Sequence, residues 1–220
     1  MRKMLLSTVA LIVLGVSAHA ADLSVAQLYK APAVAPTPVN CSIQGCWYLG
    51  AAISESGGSF NVISTGVSGL TDNNLNLAVE GGYDYFSGNI YLGAEAIFEY
   101  GLIQNGIIPG GGNSELWGTG VWAKIGYNVA SALGITPATA TNPISSLFST
   151  TTPYVDLGIW DRPWGSGFAS GGGAMGWLTP TTSLHVDYIH VNYNNAAVNA
   201  NVNQQTEDMV IGGLDYHFAF

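Results

Sequence analysis

The sequence predicts an all-β fold: an antiparallel, eight-stranded, transmembrane up-and-down β-barrel. Three observations carry that expectation. The segment from Val210 to Phe220 alternates between two faces, with Val210, Gly212, Leu214, Tyr216, Phe218 and Phe220 on one and Ile211, Gly213, Asp215, His217 and Ala219 on the other, the period-two mark of a strand. Only 9% of the 220 residues are charged, far below the roughly 25% of a soluble domain. After residue 20 no apolar run is long enough for a membrane helix, and the chain's 29 glycines mostly interrupt short apolar alternations, as strands facing lipid on one side do.

Residues 1–20 begin with Arg2 and Lys3, continue in an apolar run and leave through Ala18-His19-Ala20, the pattern of a secretory signal peptide. Its removal takes two of the five basic residues and no acid, so the remaining chain carries 3 − 14 = −11. That balance excludes nucleic acid as a partner, since a basic patch is its expected footprint. Residues 21–45 read as a Pro/Ala-rich periplasmic leader, with Pro32, Pro36 and Pro38 favouring an extended spacer. Residues 46–220 are the expected barrel.

Eight alternating segments follow, at 46–54, 74–86, 89–100, 116–128, 153–161, 167–178, 183–193 and 207–220. Each suffices to cross an outer membrane, which takes roughly 9–11 tilted residues. Short turns at 86–89 and 178–182 alternate with long polar loops at 55–73, 101–115 and 194–206, the barrel habit of short periplasmic and long external connections. Two connections break the alternation. The external 162–166 is brief, and the internal 129–152 is long. The latter reads either as a helical turn capped by Asn142 with Pro143 first, or as an extra hairpin that would make ten strands.

Face parity sorts charge. Glu80, Asp84, Glu95, Glu99, Lys124, Asp156, His185, Asp187, Asp215 and His217 fall on the inward face, while Leu92, Phe98, Val121, Ile125, Val186 and Tyr188 face out. A charge near the bilayer midplane costs roughly 2–4 kcal/mol for Lys or Arg, so lipid demands this sorting. Glu115, Asp161 and Asp208 take outward parity at the external strand ends. Trp47, Tyr83, Tyr85, Trp177, Tyr216, Phe218 and Phe220 map to a periplasmic aromatic belt, and Tyr100 and Trp117 to an external one.

The leader Ala21-Asp22-Leu23 with Tyr29-Lys30-Ala31-Pro32, then Trp47-Tyr48-Leu49-Gly50, Trp122–Tyr127, Pro153–Gly158, Gly176–Tyr188 and the closing Tyr216-His217-Phe218 resemble the small porin-family surface proteins of alphaproteobacterial outer membranes. The resemblance covers nearly all of residues 21–220, through strand punctuation and not chemistry. It implies an OmpA-like eight-stranded barrel in the outer membrane of a Gram-negative bacterium, exported by its signal peptide. It also implies insertion by the outer-membrane assembly machinery, with Tyr216, Phe218 and Phe220 as the assembly signal. Relatives of this kind serve as surface antigens, porins or haemin binders. The long 129–152 segment and the cysteine pair depart from the family pattern.

The remaining motifs are weighed against plain alternatives. Cys41 and Cys46 are the only cysteines, expected as a disulfide in an oxidising compartment, with free thiols as the alternative; a zinc site would need more ligands. Gly118-Thr119-Gly120-Val121-Trp122-Ala123 spells a dinucleotide fingerprint, yet no helix follows to receive a pyrophosphate. No Gly-x-Ser-x-Gly elbow exists, and Ser183 lies far from His190 along its strand, so an enzyme is not expected. No cofactor is expected either, although His190 near the external rim is the residue a haemin would need as an axial ligand. The inward cluster reads first as a salt-bridged plug, because eight strands barely hold their own side chains, and alternatively as a narrow cation-preferring conduit. The expected role is structural, with loops 55–73 and 194–206 offered to any extracellular ligand.

Overall fold

In the computed structural model, the described residues are 41, 45–62, 67–71, 73–105, 117–129, 147, 150–163, 165–199 and 202–218. Nine strands run in chain order: β1 (Cys46–Val62), β2 (Val67–Thr71), β3 (Asn73–Ser87), β4 (Ile90–Asn105), β5 (Trp117–Tyr127), β6 (Thr152–Arg162), β7 (Gly165–Thr179), β8 (Thr182–Asn199) and β9 (Val202–Phe218). Each of β3 to β8 pairs antiparallel with the next, and β1 pairs with β3 on one side and β9 on the other. The β1–β9 ladder runs from Trp47↔Phe218 to Val62↔Val202, so the sheet closes on itself with eight staves. Closure removes the open edge that no bilayer core tolerates, because backbone N–H and C=O groups find no water there. β2 is not a stave; it pairs only with the upper end of β1, from Ser59↔Thr71 to Val62↔Val67.

The eight expected segments lie within the eight staves. The extra hairpin that would have made ten strands is excluded, because β5 pairs directly with β6 from Thr119↔Asp161 to Gly126↔Tyr154. Asn142 and Pro143 lie outside the described residues. Leu147 is helical, and its carbonyl accepts from the Thr151 hydroxyl at 2.9 Å.

The long loops need correction. Much of 55–73 and 194–206 is ladder: β1 continues to Val62, β2 fills 67–71, and β8 and β9 run together to Asn199↔Val202. Their asparagines and threonines were read as loop because they lack apolar alternation. That alternation records lipid, and these ribbons rise beyond it. At the other end, Gly88 carries φ +60° in the β3–β4 turn, a left-handed conformation that glycine adopts at little cost.

Polarity is inside out. Leu49, Val79, Val121, Leu157, Ile159 and Phe168 are each more than half exposed, and no watery surface of a soluble domain presents a continuous apolar ring of that kind. Trp47 and Tyr83 meet edge-to-face at 5.2 Å at the lower rim, and Phe98 stacks on Trp117 at 6.5 Å at the upper. One belt residue is corrected: Trp177 is 3% exposed and points inward, its ring 4.4 Å from that of His217. Its segment, Ala169-Ser170-Gly171-Gly172-Gly173-Ala174, carries too little contrast between faces to give the phase.

Val121 lies mid-strand on the lipid face. Val121→Arg should destabilise the folded barrel in phospholipid vesicles by roughly 2–4 kcal/mol, while Val121→Leu stays near neutral; urea unfolding followed by tryptophan emission measures both.

Candidate functional site

Among the described residues, charge collects in the interior, and its organisation follows from the register. Nearest the lower rim an apolar and aromatic layer forms from Cys46, Phe86, Tyr91, Tyr154, Met175 and Trp177. Above it sits a carboxylate band. A second apolar layer contains Ala52, Ile97, Trp122, Trp160, Ile189 and Met209, with Trp122 and Trp160 stacked at 5.4 Å and 8°. The glycines of the false fingerprint explain that stack: a Cβ on Gly120 would meet Trp160 Cε3 at 2.5 Å and Trp122 Cη2 at 2.6 Å.

Two permanent cations organise the acids. Lys124 on β5 donates to Glu95 on β4 at 2.7 Å, and the same carboxylate accepts from Tyr48 at 2.6 Å and Trp122 Nε1 at 2.8 Å. Glu95 thereby receives three donors, the condition under which a buried carboxylate is tolerated. Near the upper end, Arg162 bridges Glu99 at 2.5 Å and Glu207, while Ser54 donates to Glu99 at 2.7 Å and Tyr193 to Glu207 at 2.5 Å. Neither Arg162 nor Glu207 was singled out from the sequence as an interior group. Arg162 falls in the expected 162–166 connection beside Pro163, and Glu207 opens the last alternating segment. Parity would have found both, since Arg162 shares a face with Trp160 and Glu207 with Met209 and Ile211.

The third centre has no permanent cation. His185 on β8 places Nδ1 at 2.5 Å from Asp187 and Nε2 at 2.8 Å from Glu80 on β3, with Asp215 on β9 at 3.9 Å. Asp156 faces Lys124 in the β5–β6 register, yet neither of its oxygens has a hydrogen-bond partner among the described residues. All ten inward residues singled out from the sequence are buried: Glu80, Asp84, Glu95, Glu99, Lys124, Asp156, His185, Asp187, Asp215 and His217. Glu95 with Lys124 and Glu99 with Arg162 belong to the two ion-pair centres, and Glu80, Asp187 and Asp215 gather round His185.

His217 forms a fourth contact set that sequence spacing could not reveal. Its Nε2 lies 2.8 Å from the Ser183 hydroxyl and its Nδ1 3.7 Å from Asp84. The order serine–histidine–aspartate has the sense of a nucleophile and its base, but Ser183 and His217 are both 0% exposed beneath Trp177 and Tyr48. No acyl group reaches that hydroxyl in this arrangement.

The remaining expectations fall at the edges. Cys41 and Cys46 are joined as a disulfide, Cα atoms 5.5 Å apart, and the Cys41 amide donates to the Pro180 carbonyl at 3.3 Å. Tyr216 is 60% exposed and Phe218 pairs in register with Trp47; Phe220 and Glu115 lie outside the described residues. His190 is on the external rim, its Nδ1 2.8 Å from Asp208, which also accepts from Tyr188 at 2.6 Å.

No protein-family model matches the chain, and no curated protein sequence matches it. Solved structures match in shape. Neisserial surface protein A is 13% identical, with a TM-score of 0.43 over 78% of this chain and 97% of that one. Ail of Yersinia pestis, solved with the heparin analogue sucrose octasulfate, is 13% identical with a TM-score of 0.39 over 80% of this chain and 100% of its own. The outer membrane protein OprG of Pseudomonas aeruginosa is 11% identical with a TM-score of 0.37 over 81% of this chain and 98% of its own. Likeness of this extent bears on shape alone, and the fold rests on the strand register itself.

The Arg162 centre makes a sharp test of the interior. Arg162→Met strands Glu99 and Glu207 together out of water and should cost about 3–5 kcal/mol. The triple substitution Arg162→Met, Glu99→Gln, Glu207→Gln should recover most of that loss, because it removes the uncompensated charge with its partner. Equilibrium unfolding of the three proteins in vesicles measures the difference.

Proposed function

We propose that the chain is an integral barrel of a Gram-negative outer membrane with a structural, surface-exposed role in the envelope. The observation that carries this is the filled lumen: stacked Trp122 and Trp160 lie across the interior between the Lys124 and Arg162 ion-pair centres. An eight-stranded barrel is just wide enough for its own side chains, and here they occupy it. The lipid partner follows from the apolar exterior and its two aromatic rims. Export by residues 1–20, assembly through Tyr216, Phe218 and Phe220, and kinship with the small alphaproteobacterial porin-type proteins belong to the same proposal, supported by the sequence motifs.

The surface role assigns the upper ribbons to contact outside the cell. The β1–β2 pairing and the β8–β9 hairpin continue the ladder beyond the apolar alternation, which supports regions 55–73 and 194–206 as the surface an extracellular ligand would meet. The haemin reading has no support beyond His190, whose exposed ring already engages Asp208. No enzymatic role is proposed, since the one serine–histidine contact described above is buried.

One alternative has an observation of its own. Eight carboxylates, Glu80, Asp84, Glu95, Glu99, Asp156, Asp187, Glu207 and Asp215, are buried against Lys124 and Arg162, a lining that suits a narrow cation-preferring conduit. Conductance separates the two. Purified protein in a planar bilayer should give no stable steps, and reproducible cation-selective steps would overturn the scaffold in favour of the conduit.

A further inference from the structure

We propose that Glu80, His185 and Asp215 form a binding site for one divalent cation of the zinc class, built across the seam where the first strand closes onto the last. The proposal rests on the barrel's register and not on its role in the envelope.

The ligands come from β3, β8 and β9, and the two residues between them are glycines. Gly50 on β1 pairs with Glu80 on one side and Asp215 on the other, and Gly213 on β9 pairs with His185. A Cβ on Gly50 would strike Asp215 Oδ1 and come within 2.8 Å of Glu80 Oε1; a Cβ on Gly213 would strike His185 Nε2 and come within 2.5 Å of Glu80 Oε1. All three donors therefore lean over one small patch of bare backbone. One atom from each lies within 4.8 Å of the others.

Three donors each about 2 Å from a single ion stand roughly 3–3.6 Å apart. The His185–Glu80 separation of 2.8 Å and the His185–Asp215 separation of 3.9 Å bracket that range.

Two further observations point to a ligand here. Glu80 Oε2 is buried without a hydrogen-bond partner among the described residues, and Asp215 Oδ1 has none beyond the facing Glu80 carboxyl, on residues 3% and 4% exposed. Such oxygens are costly unless paired or bound to a metal. His185 is also set as a ligand: Asp187 lies 2.5 Å from Nδ1 and takes its proton in a hydrogen bond, leaving Nε2 as the coordinating nitrogen. A carboxylate behind a histidine in this way orients metal-bound imidazoles generally. Charge agrees, because one imidazole faces three carboxylates while the permanent cations pair with Glu95, Glu99 and Glu207. Binding displaces the proton between Nε2 and Glu80, which leaves to solvent. One nitrogen and two oxygens favour zinc, cobalt or manganese over calcium, which takes six or more oxygens.

The test uses the full barrel refolded from denaturant into detergent micelles with Zn²⁺, Co²⁺ or Ca²⁺ present, so that the buried site is loaded as it forms. After gel filtration, elemental analysis should find about one Zn²⁺ or Co²⁺ per folded chain and no stoichiometric Ca²⁺. Glu80→Gln and Asp215→Asn should each lower retention at least tenfold. Asp187→Asn should weaken it by about 10–100-fold as a positioning residue, and His190→Ala should leave it unchanged. The Co²⁺ protein should also show one paramagnetically shifted imidazole N–H resonance, slow to exchange because Asp187 holds it. That signal decides the matter if a variant does not fold. Failure of the folded wild type to retain Zn²⁺ or Co²⁺, retention indifferent to Glu80→Gln and Asp215→Asn, or absence of the shifted resonance would each overturn the site.

Discussion

Everything in this molecule depends on closing the backbone ladder between β1 and β9. Once Trp47 pairs with Phe218 and the ladder runs up to Val62 and Val202, no edge remains and the sheet is tolerated in hydrocarbon. Closure at eight staves also fixes the diameter, at a width that side chains can just fill. Polar side chains turned away from lipid are thus pressed against one another. Most of them find partners there, as Glu95 does in Lys124, Tyr48 and Trp122.

Glycine makes that crowding possible. At mid-height, Gly50, Gly173 and Gly213 sit where a Cβ would collide with Asp215, Asp187 and His185 respectively. Higher up, Gly118 and Gly120 yield to Trp160, Arg162 and Trp122. A small residue on one stave faces a large polar or aromatic one on the next. The glycines that the sequence offers as a mark of lipid-facing strands are, in these places, the complement of the buried side chains. Gly81 and Gly82 show the same principle against β1, with Leu49 and Tyr48 over them.

Much of this was legible in the sequence, and the gaps have physical causes. Period-two alternation located all eight staves because lipid on one side imposes contrast between faces. Where lipid ends, contrast ends, and the upper ladders from Ser59 to Val62 and from Ala196 to Asn199 were read as loop. Trp177 was phased wrongly because the glycine run before it has no preferred face. Interior parity identified the acids, but parity says only that residues share a cavity. That Glu80 and His185 are neighbours follows from β1 and β9 lying between β3 and β8, a closure spanning 105 positions in sequence. The bridge from Arg162 on β6 to Glu207 on β9 likewise needs the closed barrel, which parity alone does not supply.

The buried ions do more than fill space. A shift of one residue between staves would turn every charge toward lipid, so that error is already forbidden by the bilayer. A shift of two residues keeps each face correct, and the aliphatic exterior of Leu, Val and Ile cannot tell the difference. Only the interior discriminates. Arg162 on β6 must meet Glu99 on β4 and Glu207 on β9, while Lys124 on β5 must meet Glu95 on β4. A two-residue slip breaks these pairs and leaves charges buried alone, which costs far more than any exterior contact could return. Desolvation makes such pairs poor sources of net stability. Their penalty when misaligned still makes them strong selectors of register, and a barrel whose outside is uniformly apolar has need of such a selector within.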